Sequence, residues 1–150
     1  SFTRGASPEF VHQLAKFSNE ISFAAGQIVF KENELADRFY LILSGKIELE
    51  TKADHGVPVK IQTLGPGDLL GWSWLFAPFR WHFTATAAEP CTALSFNGAS
   101  LLIRAEENPV FGYELMKRIS RQVIQRLQMT RERYVRECAV NLEKGPDARI

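Results

Sequence analysis

Glycine turns cut residues 21–97 into short segments, and this punctuation restricts the middle of the chain to β architecture. Ile21 and Phe23 precede a turn at Ala25-Gly26, and Gln27-Ile28-Val29-Phe30 follows it. Arg38 to Leu43 is an apolar run stopped by Ser44-Gly45. Lys46-Ile47-Glu48-Leu49-Glu50 alternates, so one of its faces is wet. Asp54-His55-Gly56 reads as a hairpin turn with Val57 to Leu64 as the return strand. Phe83 to Ala87 and Cys91 to Phe96 add two more strands across Ala88-Glu89-Pro90, and Asn97-Gly98 closes the series. Strands this short bury their apolar faces only when layered, as a sandwich, roll or barrel.

Helices are expected at both ends of this β region. A chain of 150 residues is one domain with room for a proper core. Residues 1–6 are expected to be disordered. Ser7-Pro8-Glu9 is an N-cap, a first-turn proline and a first-turn acid, and predicts a helix to about Phe17 with Phe10, Leu14 and Phe17 on one face. A brief helix is expected over Ala99–Arg104. Asn108-Pro109 then opens a long one, about residues 109–138, which spans roughly 45 Å at the usual rise per residue, more than one small β domain covers. Met116, Ile119, Val123, Leu127, Thr130 and Tyr134 follow spacings of three and four, the stripe of a helix that packs on another helix. Lys117, Arg118, Arg121, Arg126, Arg131, Arg133 and Arg136 occupy the opposite face, read as solvated charge. Residues 139–150, with Gly145-Pro146, are expected to be a flexible tail.

Composition removes several function classes. The formal net charge is +1, so no global field draws the chain to nucleic acid or membrane. Cys91 and Cys138 form no Cys-x-x-Cys pair and read as free thiols. His12, His55 and His82 are scattered, with no His-x-His pair, so no metal site is expected. No nucleophile motif is present, and the expectation is a chain without enzyme activity. The start has no apolar signal region and no apolar run reaches membrane-spanning length, so the expected location is the cytoplasm without membrane contact.

Residues 65–87 are laid out as an anion-binding cassette: a glycine turn ends a strand, a short helical turn begins at Gly71, and a proline loop leads to another strand. Backbone amides at a helix start favour negative charge. The order of elements, with three stretches of sequence, resembles the cyclic-nucleotide-binding domain family over about residues 7–137. The stretches are Phe23 to Glu34 with Gly26, Ala36-Asp37-Arg38-Phe39-Tyr40-Leu41-Ile42-Leu43-Ser44-Gly45-Lys46-Ile47, and Leu64-Gly65-Pro66-Gly67-Asp68-Leu69-Leu70-Gly71. The resemblance implies a mainly β fold, an eight-stranded jelly-roll-like β-roll flanked by helices. It implies a regulatory module, like the bacterial catabolite-activator type without a helix-turn-helix, whose last helix pairs with its copy in a homodimer.

The cassette departs from the family pattern at two places. Where cyclic-nucleotide-binding members carry a ribose-binding Glu, this chain has Trp72. Where they carry the phosphate-binding Arg, it has Trp81, with Arg80 one residue early. A one-residue slip on a strand turns a side chain to the other face. Two readings stay open. In one, the module senses a small anionic, nucleotide-like ligand held by Leu70, Gly71, Trp72, Ser73, Trp74, Arg80, Trp81, His82 and Phe83. In the other, Trp72, Trp74, Phe76, Phe79, Trp81 and Phe83 fill the pocket themselves, and the chain is a protein-interaction scaffold for an effector protein. A weaker third reading uses the arginine face to associate with nucleic acid, without a DNA-reading motif of its own.

Overall fold

The computed structural model describes residues 1–52 and 56–144. Asp54 and His55 of the expected hairpin turn, and Gly145-Pro146 of the expected tail, lie outside the described residues. The elements in order are α1 (Pro8–Ala15), β1 (Ser18–Phe23), β2 (Ile28–Phe30), β3 (Arg38–Ser44), β4 (Ile47–Lys52), β5 (Pro58–Leu64), β6 (Leu69–Leu70), β7 (Thr84–Ala87), β8 (Cys91–Asn97), α2 (Gly98–Glu107) and α3 (Pro109–Lys144). A 3-10 turn over Ser73–Leu75 lies between β6 and β7. The strands form two four-stranded antiparallel sheets, ordered β1-β8-β3-β6 and β2-β7-β4-β5. This is the jelly-roll-like β-roll that the family resemblance implies, with a short helix before it and helices after it.

Alternation along β3 organises two apolar layers. Successive side chains of a strand point to opposite faces. Tyr40 meets Phe23 of β1 at 5.9 Å and Phe30 of β2 at 6.5 Å between ring centroids, the second contact joining the two sheets inside the roll. Phe39, its neighbour, points the other way and stacks on its cross-strand partner Phe96 of β8, centroids 4.6 Å apart and rings 9° from parallel. Alanines at Ala85, Ala87 and Ala93 are fully buried and let the strands around them approach. In β4, Ile47 and Leu49 are buried and Glu48 and Glu50 are not, the wet-face alternation read in the sequence. Gly45 turns β3 into β4 at φ +86, and a Cβ there would sit 2.5 Å from both the Cys91 sulfur and the Pro90 carbonyl oxygen. Burial pushes the Cys91 thiol pKa up, and the thiol donates to the Lys46 and Glu89 carbonyls at 3.2 and 3.0 Å. Both cysteines are free.

The Ser7 cap forms as expected, its Oγ accepting from the Phe10 amide at 3.2 Å. Asn97, read only as the close of the strand series, also caps a helix: its Oδ1 accepts from the Ser100 amide at the start of α2. The ends of the chain differ from expectation. Residues 1–6 are ordered rather than loose: Phe2 is 2% exposed and its amide donates to the Gly67 carbonyl at 2.8 Å. Phe2 is buried at a site that no periodic pattern announces. The last helix continues past Cys138 to Lys144, because nothing between them breaks a helix. The described residues divide into two compact units, 1–119 and 120–144.

Phe39 is fully buried between two stacked rings. Phe39→Ala is expected to cost about 3–5 kcal/mol of unfolding free energy, read as a lower urea midpoint at unchanged slope; a loss under about 1 kcal/mol would contradict this account of the outer layer.

Candidate functional site

The cassette begins where β6 ends. Gly71 has φ +91, a left-handed conformation that a side chain resists, and its carbonyl accepts the Trp74 indole N–H at 3.3 Å. The expected helical turn starting at Gly71 is the three-residue 3-10 turn Ser73–Leu75, closed by Leu75 N–H to the Trp72 carbonyl. Trp74 stacks on Phe39, centroids 5.2 Å apart and 15° from parallel, and rests against Gly98, where a Cβ would come within 2.6 Å of its ring. It therefore packs in the outer aromatic layer, on the face of β3 away from Tyr40. Ser73 is buried and Trp72 half-buried beside it.

Trp81 goes the other way. Its ring lies on Phe30 with centroids 3.8 Å apart and planes 9° from parallel, and it is 3% exposed. The same ring presses on Gly71: a Cβ there would stand 2.5 Å from it. Phe30 also meets Phe83 at 5.7 Å and Tyr40 at 6.5 Å. Phe23, Phe30, Tyr40, Trp81 and Phe83 thus form one aromatic cluster in front of the cassette glycine. Burial raises the pKa of the Tyr40 hydroxyl, offset in part by the Arg38 charge.

Backbone pairing fixes the directions of Arg80 and Trp81. Trp81 N–H donates to Glu34 and Asn33 N–H to Trp81, while Ala36 N–H reaches Phe79, so residues 79–81 run antiparallel to 33–36 with a bridge at Leu35 and Arg80. On such a ladder neighbours face opposite sides. Trp81 points inward, and Arg80 is exposed, its guanidinium donating from Nη1 to the Asn33 carbonyl at 2.8 Å.

Of the residues expected to hold a ligand, the structure brings Gly71, Trp81 and Phe83 together, with Leu70 buried beside Gly71. Trp74, Arg80 and His82 lie elsewhere, the last two exposed. Phe76 and Phe79, counted as pocket-filling rings, are 69% and 44% exposed. They sit at the tip of the proline loop, beyond reach of the roll interior. Their place is taken by Phe23, Phe30 and Tyr40, which sequence reasoning left out. The available signal was period-two alternation: each is an aromatic residue on the inward face of a strand.

Along the last helix, the expected stripe divides. Ile119 is buried within its own unit with Phe111 and Leu115, and Met116 is half-buried. Arg118, placed on the solvated face from sequence, is instead 5% exposed. In the second unit Val123 is half-buried and Leu127, Thr130 and Tyr134 are exposed, with the Thr130 hydroxyl donating to the Arg126 carbonyl. Ile124, 53% exposed, belongs with Leu127 and Tyr134 and was missed. The spacing of three and four does not itself tell where a helix stops serving its own core.

Among the described residues, no group of three or more His, Cys, Asp or Glu side chains gathers as a metal site, and no helix is long and apolar enough to cross a membrane.

Comparison with known proteins agrees with this geometry. Residues 20–108 match the cyclic nucleotide-binding domain. The chain is 28% identical over 120 residues to the CRP-like cAMP-activated global transcriptional regulator of Mycobacterium tuberculosis, covering 80% of this chain and 54% of that protein, so it spans about half the length of the regulator it matches. It superposes on a Geobacter metallireducens GS-15 protein provisionally assigned to cyclic-nucleotide binding, with TM-score 0.72 and 32% identity, covering 84% of this chain and 91% of the other. A cyclic nucleotide-binding domain from Methylobacillus flagellatus KT shares the fold at TM-score 0.82 and 17% identity, covering 87% and 74%. The matched domain is a regulatory, non-catalytic one. With the roll, the cassette and the long last helix all in place, the chain belongs to the cyclic nucleotide-binding domain family.

Proposed function

We propose that this chain is a regulatory module of its family that works without a cyclic nucleotide in the roll, its pocket filled by its own rings, and that it acts through pairing of α3 and contact with an effector protein. One observation carries this reading: Trp81 stacks on Phe30 directly against Gly71, at the position where the family resemblance puts the phosphate-binding arginine. A large ring there replaces a charge-assisted pair with apolar packing, and leaves an incoming phosphate to displace a buried stack. Arg80 does not compensate, since it lies on the other side of the ladder and is held by the Asn33 carbonyl. The exposed stripe Ile124, Leu127 and Tyr134 supports a homodimer formed along the second half of α3.

The competing reading, a sensor of a small anionic ligand such as a cyclic nucleotide, makes the opposite prediction for binding. A ligand that binds only the folded state raises the melting temperature. Purified protein screened against cAMP, cGMP, cyclic dinucleotides and common nucleotides is expected to show no thermal shift. A shift that disappears in Arg80→Ala would overturn the self-filled pocket and restore the rewired anion site.

Packing between Gly71 and Trp81 has its own test. Gly71→Ala introduces a clash as well as backbone strain and is expected to destabilise by about 1–3 kcal/mol. In a Trp81→Ala background the clash is relieved, so the double-mutant cycle should show a coupling of about 1 kcal/mol or more. Additive costs would place the Trp81 ring elsewhere in solution.

Pairing of α3 is tested by Ile124→Asp with Leu127→Asp, two exposed sites whose replacement spares the folded unit. Sedimentation is expected to give a dimer for the parent and a monomer for the variant; an unchanged dimer would move the interface off this stripe.

A further inference from the structure

The residues ahead of α1 cross two parts of the first unit that the family resemblance treats separately. Phe2 N–H donates to the Gly67 carbonyl at 2.8 Å, in the turn that leads into β6 and the cassette. That turn is seated on β3, with Gly67 N–H bonded to the Ile42 carbonyl and Ile42 N–H to Asp68. Ser1 lies close over Gly67, where a Cβ would meet it at 3.1 Å. The Phe2 ring is buried edge-on to Phe39, 6.5 Å between centroids, and Phe39 is the ring on which the cassette's Trp74 stacks.

The other side of the same segment is held by Arg118, in the first turns of α3. Arg118 Nη1 donates to the Phe2 carbonyl at 2.9 Å and to the Arg4 carbonyl at 2.8 Å. Its Nε pairs with Glu114 at 2.7 Å, and its guanidinium carbon lies 5.3 Å from the centre of the Phe10 ring. The side chain is 5% exposed. A buried guanidinium is stable only while its donors are satisfied. Two of the acceptors here are backbone carbonyls of the N-terminal segment, so the placement of this part of α3 depends on that segment staying in its seat.

We propose that residues 1–5 are a strap that couples the cassette to the root of α3. Through Phe2, one end of the strap holds the Gly67 turn and the Phe39–Trp74 stack; through the Phe2 and Arg4 carbonyls, the other end satisfies Arg118. Lifting the strap removes a ring from the outer aromatic layer and strips two acceptors from a buried charge in one motion. The cassette turn and the helix root then loosen together, whether or not any ligand occupies the roll. The strap is thus a point at which an event at residues 1–5 reaches α3, independently of the pocket reading above.

Hydrogen exchange followed by mass spectrometry on the whole chain tests this coupling. Phe2→Ala and, separately, Arg118→Met are each expected to speed exchange roughly tenfold to a hundredfold in two places at once, residues 69–76 and residues 111–119. Exchange in β4 and β7, which touch neither end of the strap, should stay at the parent rate. The double variant should be no faster at either place than the faster single variant, since each change already lifts the strap. Phe2→Leu and Arg118→Lys give milder forms for use if a harsher variant fails to fold, and should affect the same two places in the same order. Faster exchange confined to residues 1–6, to one end only, or spread evenly over the roll would overturn the proposal, as would additive effects in the double variant.

Discussion

Everything in the first unit hangs on the opposed directions of Phe39 and Tyr40. Adjacent on one strand, they send one ring to each face of the sheet. Tyr40 faces Phe30 across the roll and ties the two sheets together. Phe39 faces outward and gathers Phe96, Trp74 and Phe2. A shift of one residue in β3 would turn Tyr40 to the outer face, putting a hydroxyl into that layer and taking its ring away from Phe30. The register is therefore fixed by the chemistry of two neighbouring side chains.

Two of the cassette's three tryptophans divide along the same boundary. Trp74 joins the outer layer and Trp81 the inner one. Gly71, ahead of both in the chain, touches both: its carbonyl accepts from Trp74, and its bare Cα lies against Trp81. A glycine with positive φ allows the chain to turn there and leaves room for a flat ring. The cassette of this chain is thus a packing element that links two hydrophobic layers.

Much of this was legible in the sequence, and the residues show why the rest was not. The strands were readable because glycine turns and alternation, as in Ile47-Glu48-Leu49-Glu50, are local signals. The Ser7 cap was local too. The inward direction of Trp81 and the outward one of Arg80 rest on a pairing with residues 33–36 that lie some distance back along the chain. Phe76 and Phe79 look no different from Phe30 and Phe83 in composition; only the loop that carries them decides that they face water. Arg118 sits among other arginines on a helix face and would be read as solvated by any periodicity rule. What buries it is a segment 114 to 116 positions earlier in the chain, beyond the reach of any pattern along the helix.

That separation also bears on how the chain is made. A protein leaves the ribosome from its N-terminal end, and early segments fold with what has already emerged. Phe2 can find Phe39 and the Gly67 turn once the β-roll is available. The Arg118 grip on its carbonyl closes a contact across 116 residues, which must wait until the first turns of α3 are synthesised. The Phe2 and Arg4 carbonyls are thus made before the guanidinium that they satisfy, and their seat is shared between an early contact with the roll and a late one with the helix. The grip on residues 2–4 closes only once Arg118 has arrived.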